Sequence, residues 1–94
     1  MEDDFQVLID TYVNDGDLKL VSLRQALVDQ DTTNLRALAH SLKGSSGNMG
    51  AEPLAAICCR VEEAALSQNL DQMDEDISAI ESEFARVKQA IANI

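Results

Sequence analysis

Residues 70–91, LDQMDEDISAIESEFARVKQAI, set Leu70, Met73, Ile77, Ile80, Phe84, Val87 and Ile91 at alternating steps of three and four. Those steps hold apolar side chains on one narrow stripe of an α-helix, the seam of a helical bundle. Leu70-Asp71 reads as the start of this helix, with Asp74 in its first turn facing the positive end of the helix dipole. The seam has to be covered. A second molecule zipped along it would serve, but amphipathic segments of the same chain cover it at no translational cost.

Those segments lie upstream. Phe5, Leu8, Ile9 and Tyr12 fall at helical spacing behind an acidic first turn, and Asn14-Asp15-Gly16-Asp17 then predicts an end or a kink. Leu20, Leu23, Leu27 and Val28 resume the stripe as far as Asp29-Gln30-Asp31-Thr32-Thr33, a polar cluster rich in caps. The next helix runs from about Thr33 or Asn34 to Asn48 or Met49, where Gly50 stops it. Pro53 opens a further one, with Leu54, Ile57, Val61 and Ala65 as its buried stripe and Asn69 near its end. No strand alternation, repeat or linker interrupts the series. The reading is all-α: an antiparallel up-and-down four-helix bundle with a kinked or split N-terminal helical segment, one domain over residues 1–94, expected to be a monomer.

Composition agrees. The chain is 46% hydrophobic but only 3% aromatic, which suits a helical core of Leu, Ile, Val, Ala and Met. Its 17 acidic and 7 basic residues give a formal charge of −10, a field that repels phosphate backbones and anionic lipid. Neither nucleic acid nor a membrane is expected as a partner. No apolar run approaches a bilayer's thickness, and Met1-Glu2-Asp3-Asp4 is the reverse of a basic signal segment, so a cytoplasmic protein is expected. Cys58 and Cys59 are neighbours pointing about 100° apart on a helix, too poorly placed to bond each other. They read as reduced thiols in or near the core. One His and two adjacent Cys offer no zinc-type ligand spacing, so no metal site is expected.

The chain has a single histidine, His40. On a helical wheel Leu35, Leu38, Leu42 and Met49 form the core face of its helix, with Ala39, Ser45 and Ser46 at the margins. His40 then lies opposite the core, with Arg36, Lys43, Gly44 and Gly47 around it and Ala37 beside it. A lone exposed histidine is ordinarily an unremarked surface residue, but its neighbours argue for more. Gly inside a helix costs about 0.8–1 kcal/mol relative to Ala, so Gly44 and Gly47 together forfeit roughly 2 kcal/mol with no turn to require them. Bare backbone beside the ring lets the surface of another macromolecule approach. Lys43 can reach an oxyanion at the imidazole, and Arg36 adds a second charge one turn earlier; the plain alternative for both is a solvated helix face. In an antiparallel hairpin turning at Gly50, Glu62 lies level with His40. It then either holds Nδ1 and leaves Nε2 as nucleophile, or is simply an exposed carboxylate.

The run Ala39-His40-Ser41-Leu42-Lys43-Gly44-Ser45-Ser46-Gly47-Asn48-Met49-Gly50 resembles the signature of histidine-containing phosphotransfer (HPt) domains, and the chain's length and helix order are similar to theirs. The resemblance implies that His40 accepts a phosphoryl group from a receiver-domain aspartyl phosphate and passes it to another receiver aspartate. Lys43 would steady the phosphoryl oxygens, and Gly44 would keep the approach open. It implies a phosphoprotein of two-component signalling with no kinase activity and no cofactor of its own, magnesium belonging to the receiver. Response-regulator receiver domains and a hybrid sensor kinase are the implied partners. Relatives carry Gln or Glu near the position of Glu62, and some lack an equivalent. Met1 at the start leans toward a free-standing carrier.

Unassisted chemistry points the same way, since a neutral imidazole is a competent nucleophile and phosphoryl transfer rests largely on positioning and charge neutralisation. The alternative is an acidic helical adaptor that binds signalling proteins without carrying phosphate. A hydrolase using His40 as base is disfavoured, because no nucleophile with an oxyanion site is suggested by the spacing.

Overall fold

The computed structural model describes residues 2–93, with side chains from residue 4, as four helices and no strand: α1 (Glu2–Val28), α2 (Thr32–Asn48), α3 (Glu52–Leu66) and α4 (Met73–Ala92). Each helix packs on its neighbours in the chain, and α1 closes the ring on α4. The result is an up-and-down bundle measuring 43 × 18 × 17 Å. None of the described helices is long and apolar enough to cross a membrane. The described residues also hold no group of three or more His, Cys, Asp or Glu placed to bind a metal ion.

The expected break in the N-terminal segment is absent, and α1 runs on through Asn14-Asp15-Gly16-Asp17 as one helix of 27 residues. Two things hold it there. The polar residues point outward, Asp15 pairing with Lys19 one turn on and Asp17 with Lys88 of α4 at 3.0 Å. Gly16 is buried, and a Cβ on it would overlap Phe84 Cζ and stand 2.6 Å from Cε1. The glycine marks where an aromatic ring meets bare helix backbone. Because α1 outruns the shorter α2, its first turns pass beyond the core, and Phe5 and Leu8, expected on the buried stripe, are about half exposed.

The ends of α1, α2 and α3 share one device. Gln30, Gly50 and Gln68 take left-handed backbone at φ 53°, 78° and 56°. In each case the following amide reaches back to a carbonyl in the last turn, Asp31 to Ala26, Ala51 to Ser46 and Asn69 to Ala64, at 2.8 to 2.9 Å. Asp31 also caps α2, its carboxylate accepting from the Asn34 amide at 3.0 Å, which starts that helix at Thr32, a residue or two earlier than expected. The left-handed turn at Gln68 ends α3 at Leu66, short of Asn69. Asn69 instead accepts from the Asp71 amide in a turn, so α4 starts at Met73, not at Leu70-Asp71.

The fully buried seams read Leu35, Ala39, Leu42, Ser46 on α2, then Leu54, Cys58, Val61, Ala65 on α3, and Met73, Ile77, Ile80, Phe84 on α4. Ala39 and Ser46, expected at the margins of α2's core face, lie at its centre, while Leu38 and Met49 are only partly buried. Ser46 is tolerated inside because its hydroxyl shares a 2.9 Å hydrogen bond with that of Tyr12. Cys58 takes the core position expected of Ile57, and burial pushes its thiol up to about 12. Both cysteines are free thiols.

Candidate functional site

The Schellman turn at Gly50 folds α3 back antiparallel on α2. The constant rise of the two helices then brings Glu62 level with His40. Its Oε2 lies 2.9 Å from His40 Nδ1, and its Oε1 lies 2.6 Å from Lys43 Nζ. One carboxylate therefore holds both groups. His40 itself stays open, its side chain 68% exposed against 17% for Glu62.

The protonation pattern follows from this geometry. The Lys43 ammonium first, and the His40 ring after it, hold the Glu62 carboxyl below the usual carboxylate range. Glu62 in turn raises Lys43. An ionised carboxylate only accepts hydrogen bonds, so a neutral imidazole has to place its proton on Nδ1 to satisfy it. Nε2 is left with a free lone pair, and Lys43 stands one turn away on the same face.

The approach to the ring is bare. A Cβ built on Gly44 or on Gly47 meets nothing within 4 Å, so nothing inside the folded chain requires either glycine. Arg36 and Ala37 lie one turn before His40 and line, with Thr32, Glu62 and Leu66, an open groove of about 460 Å³ along the α2–α3 seam. Of the residues singled out in the sequence, His40, Lys43 and Glu62 form a bonded cluster, Arg36 and Ala37 extend it along the groove, and Gly44 and Gly47 leave open helix surface beyond it. On the α3 wall of the groove Glu62 was expected and Leu66 was not. The register that aligned Glu62 with His40 also aligns Leu66 with Arg36, and this was its one signal.

Fold and site define a class. The family model "Hpt domain" matches residues 7–90, and the chain belongs to that family. It is a histidine phosphotransfer intermediate of phosphorelay signalling, a family of carriers that work with receiver domains of two-component systems. Among solved structures, the crystal structure of histidine-containing phosphotransfer protein B (HptB) from Pseudomonas aeruginosa PAO1 is similar, at 43% identity and a TM-score of 0.95, covering 99% of this chain and 81% of that one. A comparison with curated proteins finds no match.

Proposed function

We propose that His40 Nε2 is the atom that carries the phosphoryl group, and that the cluster around it is built for reversible exchange with receiver aspartates. The observation that carries this reading is Glu62 bridging Nδ1 and Lys43 beside the chain's single histidine. In the forward step the Nε2 lone pair attacks phosphorus in line, an N–P bond forms, the P–O bond to the receiver's aspartate breaks, and the aspartate leaves as a free carboxylate. Charge building on the imidazole is met by Glu62 through Nδ1–H. Lys43 turns from Glu62 toward the phosphoryl oxygens, and Gly44 and Gly47 admit the receiver's surface. The reverse sequence on a second receiver discharges the carrier.

No phosphoryl donor of this chain's own is needed, so it acts without kinase activity. Magnesium is supplied by the receiver, and exchange takes place in the cytoplasm between a monomeric carrier, a hybrid sensor kinase's receiver and a response regulator. Mixing the protein with a phosphorylated receiver domain should give an acid-labile, base-stable phosphate on the native chain and none on His40→Gln. Equal labelling of the two would overturn the assignment.

A further inference from the structure

With 17 carboxylates to 7 Lys and Arg, a surface cation on this chain is seldom out of reach of an acid. Lys19, Arg24, Lys43, Arg60, Arg86 and Lys88 each pair with one at 3.7 Å or less. Arg36 has no ion pair among the described residues. It stands on the wall of the groove that ends at His40 and Glu62. Across the seam at its level is Leu66, a 62% exposed leucine in the same groove. An unpaired Arg and an open apolar side chain lining one groove, the Arg about 6 Å along the helix from the His40 ring, are an arrangement the bundle itself does not use.

We infer that this groove seats an element of the receiver domain that sets an apolar side chain against Leu66 and a carboxylate against Arg36, so that Arg36 selects receivers by charge. The inference rests on the carrier reading above and adds to it the chemistry of the partner's contact surface. Charge complementarity decides the occupant. Elsewhere the chain's negative field repels an acidic partner, and here the only unpaired Arg or Lys among the described residues offers such a partner a single point of attachment. An anchor at the rim of an interface acts on encounter and half-saturation and loses strength as salt rises, while the chemical step stays with His40, Lys43 and Glu62.

The test uses the full chain and a panel of purified receiver domains charged with acetyl phosphate, taking the receiver that labels the native protein fastest. Transfer is followed against receiver concentration at low and moderate salt for native, Arg36→Gln, Arg36→Glu and Leu66→Ser proteins. Labelling of His40 by phosphoramidate, which needs no docking, is measured alongside. Arg36→Gln should raise the half-saturating receiver concentration about tenfold at low salt, Arg36→Glu should raise it further, and the salt dependence should flatten. The limiting rate and phosphoramidate labelling should stay at native values. Leu66→Ser should raise half-saturation with the salt dependence retained. Native half-saturation for both Arg36 variants would overturn the inference, as would a lower limiting rate at unchanged half-saturation, which would put Arg36 on the phosphoryl group itself. If phosphoramidate labels the native protein but no receiver does, the relay reading falls and this inference falls with it.

Discussion

Three glycines on these helices serve opposite purposes. Gly16 is buried, and its missing side chain is where the Phe84 ring sits. Gly44 and Gly47 face open space beside His40. Gly16→Ala therefore forces a fully buried ring to move and should destabilise the protein by about 1–3 kcal/mol, as overpacking does. Gly44→Ala should do the reverse, gaining about 0.8–1 kcal/mol of helix propensity while slowing phosphoryl transfer, because on the proposed reading the added methyl stands in the receiver's approach. Urea denaturation beside transfer kinetics separates these outcomes. A Gly44→Ala protein that is both more stable and fully active would remove the access argument. The Tyr12–Ser46 pair belongs to the same scale: two hydroxyls satisfy each other inside the core, and burial raises the tyrosine.

At the level of elements, the turns decide where functional side chains meet. The turn after α2 is made by a glycine, while those after α1 and α3 force glutamine into left-handed backbone. For a residue with a Cβ that conformation costs about 1–2 kcal/mol. Gln30→Gly should accordingly raise stability by about 1 kcal/mol, less what glycine's freedom returns to the unfolded chain. Gly50→Ala should lower it by a similar amount and, by loosening the α2–α3 hairpin, weaken the His40–Glu62 contact that the hairpin aligns. Thermal unfolding measures the first pair of effects, and the ¹⁵N shifts of the imidazole report the last. An unchanged melting temperature in Gln30→Gly would show that the left-handed glutamine is unstrained.

For the whole molecule, a polar clamp beside the Asp17–Lys88 pair ties α1 to α4. Arg24 of α1 pairs with Asp74 and Glu81 of α4 and donates to Ser78 at 2.7 Å. Its guanidinium holds the Glu81 carboxyl below the usual range, as Lys43 and His40 do for Glu62. A carboxylate depressed in the folded state contributes stability that is complete above the ordinary carboxylate range and is lost as pH falls through the lowered value. Native protein should therefore keep its urea midpoint from neutral pH down to the ordinary carboxylate range and lose it below. Arg24→Gln should start lower and decline less steeply there. Neutralising the −10 charge affects both proteins alike, so the difference between the curves isolates the clamp. Parallel curves would show that Arg24 contributes no pH-dependent stability.

What the sequence settles by itself is periodic or local. The steps of three and four from Leu70 to Ile91 define a helix whose seam must be buried, and Gly50 and Pro53 define the hairpin between α2 and α3. A single histidine opposite a core stripe, beside glycines that cost stability, marks the face proposed to react. Even the level of Glu62 follows, because two antiparallel helices joined at a known turn have one register. The unbroken course of α1 was not legible, since Asn14-Asp15-Gly16-Asp17 reads as a break until Phe84, 68 residues away, is packed on the glycine. The burial of Ser46 waits in the same way on Tyr12. Local propensity is a property of neighbouring residues, whereas the cost of a buried hydroxyl, a missing Cβ or an unpaired guanidinium depends on what the fold sets against it.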